Sequence, residues 1–326
     1  MLYIRNDSTS PYFNHAVEEY FIKNTDEECF ILWRNIPCIL IGKNQNAMSE
    51  INIEYVKENN IPIVRRLSGG GAVFNDLGNI NFTFITNKDS NDSIDFKKFA
   101  QPIINALVDL NVKAEFSGRN DITIDGKKFS GNAQYSYKNR VLHHGTLLFS
   151  GNLTDLSAAL KTKPLKFEDK SVKSVASRVT NISAHLDKPM DVLEFREFLK
   201  NHVMKANQIK AVHELSEQEL AEINKIAKER FESWEWNFGS SPKYSYTNEK
   251  RFAGGTVEFN MEVERGIIEE IRIYGDFFGE KDVKELEAAL KGVRHTEEDI
   301  RKALSSYEIG KYLANITIDD IISGLF

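Results

Sequence analysis

The chain has little of several things that would assign it at sight, and each shortage excludes something. Cysteine is scarce: Cys29 and Cys38 are the two in 326 residues, nine positions apart in apolar surroundings and without Cys-x-x-Cys spacing, so neither a disulfide framework nor a cysteine-based zinc site is expected. Excess basic charge is missing as well. Lys and Arg number 42 against 48 Asp and Glu, a formal net charge of −6, so no global positive field exists to hold nucleic acid or an anionic membrane. The most apolar stretch, residues 30–41, is broken by Arg34-Asn35 and Pro37, which excludes a membrane span there. Charge at Arg5 and Asp7 comes too early for a secretory signal. A soluble, cytoplasmic protein with no nucleic-acid and no membrane partner is expected.

What is present is globular material. Apolar residues make up 41%, and 19 glycines bring the share to about 47%, inside the roughly 45–50% of soluble globular chains, which excludes disorder as the main state. The length is about twice the ~150-residue prior for one domain, so one large domain with a small one, or two fused units, is expected. No internal repeat or low-complexity tract stands out.

Ser10-Pro11 pairs an N-cap with proline at the first helical position, and Phe13, Val17, Tyr20 and Phe21 follow at helical spacing, which predicts a short amphipathic helix. Residues 30–33 and 38–41 read as two strands joined by a turn at Asn35-Ile36-Pro37. Residues 51–59 suit a short helix, and 61–66, 72–74 and 80–85 read as a β-turn-β unit around a glycine run. Asp95 caps a helix carrying Phe99, Ile103, Ala106, Leu107 and Leu110. Stretches 121–124, 127–137 and 141–149, joined at Asp125-Gly126 and Lys138-Asn139, predict an antiparallel meander. After residue 155 the pattern turns helical. Val192, Phe195, Leu199 and Val203 share one helical face, and Ser216-x-x-Glu219 is a capping box for a helix running to about Phe231. The best boundary is Gly239-Ser240-Ser241-Pro242, followed by polar residues 244–250. Beyond it, 256–263 and 266–274 read as a hairpin and 284–290 and 296–304 as helices, a compact terminal α+β unit.

The stretch richest in chemistry is Arg65-Arg66-Leu67-Ser68-Gly69-Gly70-Gly71-Ala72-Val73-Phe74. Three glycines between strands expose backbone N–H groups to an anionic or flat ligand, and two arginines beside them supply phosphate-matched forks. Alone, the run reads first as a flexible hairpin turn with solvated arginines. It is not a Walker loop, since no Gly-Lys-Ser/Thr follows, and not a Rossmann fingerprint, since a strand follows. In a regular strand, Phe129 faces the core while Lys128 and Ser130 face the other side beside Gly131. Lys128 is thus a candidate site lysine, or an ordinary exposed one. Asp121 can hold Mg2+ through one carboxylate, or serve as a turn aspartate. His143-His144 resembles a metal pair, but adjacent strand residues point to opposite faces, so the pair reads as a polar pocket wall. Residues 161–178 carry six basic and two acidic side chains and read as a basic loop.

Together, in order along roughly residues 1–240, Arg65-Arg66-x-Ser-Gly-Gly-Gly-Ala-Val-Phe74, Gly118-Arg-Asn-Asp121, Lys128-x-Ser-Gly131, His143-His-Gly-Thr-Leu147, Ser174-Val-x-Ser-Arg-Val-Thr-Asn-Ile182 and Ser233-Trp-Glu-Trp-Asn-Phe-Gly239 resemble the lipoate-protein ligase A family. The tail resembles that family's accessory domain. The resemblance implies an α+β fold: a mixed, mostly antiparallel sheet packed with helices, related to biotin ligases and class II aminoacyl-tRNA synthetases. It places the catalytic domain over residues 1–243 and a small C-terminal α+β domain over 244–326. It also implies a ligase that joins lipoate to ATP, releases pyrophosphate, and passes the lipoyl group from lipoyl-AMP to an acceptor lysine. The acceptors would be apo lipoyl domains of 2-oxoacid dehydrogenase complexes or the glycine cleavage H protein.

By the same resemblance, Lys128 is the catalytic residue, touching both the lipoyl carboxylate and the α-phosphate. Arg66, Ser68, Gly69, Gly70, Gly71, Ala72, Val73, Phe74, Asn79, Gly131, Ala133 and His144 would line the substrates, and Asp121 would help hold Mg2+. The 161–181 loop would close over the intermediate. The chain departs from the family at Asn75, where members often carry histidine. Two rivals stay open: a transferase of the same fold working through a thioester on Cys29 or Cys38, and a non-catalytic lipoate or adenylate sensor. Biotin ligase fits less well, because the arginine-rich loop has the Ser-Gly-Gly-Gly form.

Overall fold

Side-chain caps set the helix starts. In the computed structural model, which describes residues 1–45, 47–88, 95–160, 178–237, 246–264 and 267–326, helix α1 (Pro11–Asn24) opens with the Ser10 hydroxyl accepting from the Phe13 N–H at 3.4 Å and with Pro11 in the first turn. Asp95 caps α2 (Phe96–Val108) through the Lys98 N–H at 3.0 Å. Asp191 and Ser216 close full capping boxes on α3 (Val192–Ala206) and α4 (Glu217–Ile226), and α4 runs on through a wider π turn to Phe231.

The strands are β1 (Leu2–Ile4), β2 (Cys29–Trp33), β3 (Cys38–Ile41), β4 (Ile63–Arg65), β5 (Val73–Asn75), β6 (Asn79–Asn87), β7 (Ala114–Ser117), β8 (Asp121–Ile124), β9 (Lys127–Tyr137), β10 (Arg140–Leu148) and β11 (Val212–His213). Eight of them form one sheet in the order β11-β1-β2-β6-β10-β9-β8-β7, parallel at the β11-β1-β2 end and antiparallel elsewhere. The predicted meander is its β8-β9-β10 part. Asp125 and Gly126 both take positive φ, 49° and 72°, as a tight two-residue hairpin turn requires.

Two pairings differ from expectation. β2 and β3 are not a hairpin: β2 is in the large sheet and β3 is the centre of a second sheet ordered β4-β3-β5. β4 and β5 flank the glycine run but do not pair with each other, since β3 lies between them, parallel to β4 and antiparallel to β5. The core follows the alternation of β2. Phe30 and Leu32 join Phe82, Phe84, Ile103 and Phe195 on one face, while Cys29, Ile31 and Trp33 join Val17, Phe21 and Leu142 on the other.

A second unit with its own core follows. It holds an antiparallel sheet of β12 (Tyr246–Phe252), β13 (Gly255–Glu264) and β14 (Ile267–Gly275), with helices at Lys284–Leu290, Glu297–Leu304, Ile309–Tyr312 and Ile318–Leu325. β12 is a strand that the polar run 244–250 did not announce. The boundary expected at 239–242, and the division between 243 and 244, lie outside the described residues, as do residues 161–177 of the basic loop. Among the described residues, no helix is long and apolar enough to cross a membrane.

Candidate active site

One register row across the large sheet lays out the site. Trp33 lies opposite Asn81, Asn81 opposite Thr146, Thr146 opposite Gly131, and Gly131 opposite Asp121. Directly opposed residues share a face, so five positions stand in line on β2, β6, β10, β9 and β8, with neighbouring strands ~4.8 Å apart. Lys128 enters this row through a bulge. The β8–β9 register slips so that Ile122 faces Ser130 while Thr123 faces Lys128, which leaves Phe129 unpaired. The lysine therefore arches over Gly131, where a Cβ would stand 3.0 Å from its Nζ. Strict alternation had placed Ser130 beside it; the bulge instead buries Ser130, whose hydroxyl accepts from Asn132 Nδ2 at 3.4 Å.

Two adjoining cavities open along the row. The inner one is walled by Trp33, Leu40, Ala72, Val73 and Ala133, with His15, Asn81 and His144 among its polar lining. The outer one is lined by Phe74, Asn79, Asp121 and Arg178 among others. Lys128, Gly131, Thr146, Ala72 and Val73 line both. The Lys128 ammonium lies 2.8 Å from Asp121 Oδ1, and the two side chains are 40% and 37% exposed, so this pair is open to a ligand. Val179 bridges to Lys128, and the Thr180 N–H donates to the Lys128 carbonyl at 2.9 Å, so the end of the basic loop is anchored on the site lysine.

The two arginines differ from the phosphate forks that their position suggested. Arg65 donates to the carbonyls of Gly42, Lys43, Gln45, Trp236 and Asn237, and Arg66 to those of Leu40, Gly69 and Gly71 and to the Ser68 hydroxyl. Burial lowers both guanidinium pKa values to about 10, which leaves them charged at neutral pH. Arg66 holds the glycine loop from one side through the Gly69 and Gly71 carbonyls, while Arg65 ties the 42–45 turn to residues 236–237. The second unit also holds the loop: the Gly70 N–H donates to the Phe277 carbonyl at 3.3 Å, and a Cβ on Gly69 would run into that same carbonyl. Gly70 has a φ of 95°, left-handed backbone that glycine adopts at no steric cost. Arg119, two residues before Asp121, stacks 4.6 Å over the Phe278 ring and donates to the Gly254 and Asp276 carbonyls.

Behind the inner cavity lies a buried network centred on Glu18. His15 Nδ1 is 2.7 Å from Oε2, and His144 Nδ1 is 2.8 Å from Oε1, which also accepts from the Thr83 hydroxyl at 2.6 Å. Thr83 accepts in turn from Trp33 Nε1 at 2.9 Å, and His144 Nε2 reaches Ser68 Oγ at 2.6 Å. The ligand-type atoms of His15, Glu18 and His144 lie within 4.8 Å of one another, a spacing that the imidazole–carboxylate hydrogen bonds account for. Burial alone would raise the Glu18 carboxyl; attraction to His144 and the hydrogen bonds from both imidazoles win and hold it below the ordinary carboxylate range. His143 points the other way, as strand alternation requires, and stacks 4.8 Å from Phe99. Burial pushes its imidazole well below the ordinary value.

Of the residues singled out in the sequence, Arg66, Gly70, Gly71, Ala133 and His144 line the inner cavity, and Phe74, Asn79 and Asp121 the outer one. Ser68 and Gly69 line neither; they are the loop's attachment points to His144 and Phe277. Sequence reasoning passed over Trp33, Asn81, His15 and Glu18. The available signal was polar residues at every second position of β6, Asn79, Asn81 and Thr83, between the core residues Ile80, Phe82 and Phe84. Cys29 and Cys38 are fully buried, and burial raises both thiols, Cys29 to about 12, which keeps a thiolate nucleophile out of reach.

A mainly apolar cleft that meets a more polar one across Lys128 suits an enzyme that brings an aliphatic acid against a phosphate-bearing partner. Comparison with known proteins gives that class a family. Residues 10–204 match the Lipoyl protein ligase A/B catalytic domain, and residues 241–325 the Bacterial lipoate protein ligase C-terminus. A lipoate-protein ligase of Bacillus subtilis is 45% identical over 331 residues, covering 100% of both chains. The structure of P. falciparum LipL1 in complex with lipoate matches with a TM-score of 0.81 at 27% identity, covering 99% of this chain and 98% of that one. A Thermoplasma acidophilum bipartite lipoate protein ligase, described with its E2 lipoyl domain, gives 0.64 at 27% identity, over 75% and 98%. A lipoate-protein ligase A bound with ATP gives 0.63 at 25% identity, over 73% and 98%. The chain belongs to the lipoate-protein ligase family, a family of enzymes.

Proposed function

We propose that the protein activates lipoate with ATP, releasing pyrophosphate, and transfers the lipoyl group from lipoyl-AMP to a lysine of an acceptor lipoyl domain. The observation that carries this reading is the place of Lys128, shared by the apolar and the polar cavity. In the first step a carboxylate oxygen of lipoate attacks the α-phosphorus of ATP, and the bond from that phosphorus to the pyrophosphate oxygen breaks. Two anions must meet, and an ammonium between them cancels their repulsion and fixes their approach. In the second step the acceptor amine attacks the acyl carbon, AMP leaves, and the amine loses a proton. Lys128 then stabilises the charge that develops on the acyl oxygen.

The backbone of residues 71–74 would line the adenylate, with the aliphatic tail sheathed among Trp33, Leu40 and Val73. Asp121, a partly exposed carboxylate in the outer cavity, fits a Mg2+ site, because that ion takes one or two protein carboxylates and fills its shell with water and phosphate. Bound there, Mg2+ would supply charge neutralisation on the phosphates. We assign residues 1–243 as the catalytic unit and 244–326 as the accessory unit, in the cytoplasm, acting on lipoyl domains of 2-oxoacid dehydrogenase complexes or the glycine cleavage H protein.

Pyrophosphate–ATP exchange with Mg2+, run separately with lipoate, octanoate and biotin, tests the reading. Exchange driven by lipoate is expected. A folded protein that exchanges with none of the three acids would overturn it.

A further inference from the structure

The inner cavity holds a polar group with nothing to bind. Asn81 is 1% exposed and lines that cavity, yet neither its Nδ2 nor its Oδ1 has a hydrogen-bond partner among the described residues. Buried amides are almost always paired, and an unpaired one costs the free energy of its lost water contacts. A second orphan lies in the same wall: His15, 1% exposed, has its Nδ1 on Glu18 and no partner for its Nε2. Asn81 differs from its strand neighbours on the same face, each of which has at least one side-chain hydrogen bond; at Asn79 Oδ1 is the one unpaired side-chain atom. Thr83 holds Glu18 and Trp33, and the Asn79 amide donates to the Phe74 carbonyl at 3.4 Å.

The register row says which part of a bound acid Asn81 meets. Lys128, over Gly131, takes the carboxylate end. Asn81 is two strands further along the row, past Thr146 and next to Trp33, which is ~10 Å away at the ordinary strand spacing. An acid with its carboxylate at Lys128 and its chain along the row brings its far end to Asn81 and Trp33. In lipoate that end carries two sulfurs, which are polarizable weak acceptors; in octanoate it carries only methylene and methyl groups.

Resting on the ligase reading above, we infer that Asn81 is a specificity-determining residue that donates its amide Nδ2–H to a ring sulfur of lipoate and so favours a sulfur-bearing acid over a plain fatty acid of the same length. An apolar tail leaves the amide as unpaired as it is in the free protein and gains nothing from it.

The test compares lipoate with octanoate in pyrophosphate–ATP exchange for the wild type and for Asn81→Leu, which keeps the branched shape and removes both polar atoms. Binding of each acid in the absence of ATP is followed by calorimetry alongside. The wild type is expected to prefer lipoate, and Asn81→Leu to shrink the lipoate-to-octanoate ratio of kcat/KM about tenfold, mostly through poorer use of lipoate. Asn81→Ala, which opens space without adding apolar contact, is expected to shrink the ratio as well and guards against misfolding of the leucine variant. A ratio unchanged in both variants, with exchange intact, overturns the assignment to Asn81 and leaves the ligase reading standing. A wild type that neither binds nor activates either acid overturns both.

Discussion

The two ends of the site use charge in opposite ways. Behind the inner cavity the charged groups are buried and engaged: Arg65 donates to five carbonyls, Arg66 to three and to the Ser68 hydroxyl, and Glu18 is gripped by two imidazoles and a threonine. At the outer end Lys128 and Asp121 pair with each other at 2.8 Å and are more than a third exposed. A buried charge with all its partners in place is scaffold, because removing any partner strands the rest. A half-exposed pair gives up little when a ligand replaces one partner, and so it is available for chemistry. The residues most conspicuous in the sequence, Arg65 and Arg66, build the site, while the chemistry proposed above falls to an ordinary-looking strand lysine.

Four changes test that contrast, taken from the strongest effect down. Lys128→Ala should cut lipoylation of an acceptor lipoyl domain by roughly 10²–10³-fold, the loss typical of removing one donor at a developing charge, with the melting temperature kept. A melting temperature that falls with the activity would make Lys128 scaffold too. Arg65→Met should show the reverse. It removes a side-chain donor from five carbonyls, three of them in buried bonds, and should destabilise the fold by about 3 kcal/mol, measured by denaturant unfolding, and a stable variant would break the comparison.

The third is acid sensitivity. His143 is enclosed by Phe82, Phe96 and Phe99, with Gln134 and Asn132 as its hydrogen-bond partners and His144 next to it in sequence. Its folded pKa is well below the unfolded value near 6.5, so the unfolded chain binds the extra proton first. Stability should therefore be complete above about pH 6.5 and fall as pH drops below it, by up to ~1.4 kcal/mol per pH unit for this group. His15, also lowered by burial, adds to the same slope. His143→Phe should flatten the slope, and an unchanged slope would mean that His143 is already protonated in the fold. Last and smallest, Arg301→Ala removes a pair with Asp319 whose side chains are 49% and 75% exposed, and it should shift stability by no more than ~0.5 kcal/mol.

Much of this was legible locally. The caps at Ser10, Asp95 and Ser216, the Asp125-Gly126 turn and the β8-β9-β10 meander are written in short-range patterns, and they form where those patterns put them. Long-range pairing was not legible. Nothing near Asn35-Ile36-Pro37 says that β2 and β3 go to different sheets, and nothing in a Gly-Gly-Gly run says that Phe277 will cover it. β12 was hidden because it is an edge strand with a polar outer face, held by its ladder with β13. The bulge at Phe129 defeated strict alternation, and with it the side of the strand on which Lys128 finds its neighbour. His15 and Glu18 were overlooked because α1 is buried on more than its apolar stripe; a helix with a polar face turned inward looks, in sequence, like one with that face in water.

The most direct test of the division between scaffold and chemistry is lipoate-dependent pyrophosphate–ATP exchange, measured side by side on the wild type and on Lys128→Ala at matched melting temperature. We expect exchange in the wild type and background in the variant. A variant that keeps its fold and exchanges within a few-fold of the wild type would show that the lysine shared by the two cavities is not where the two anions meet.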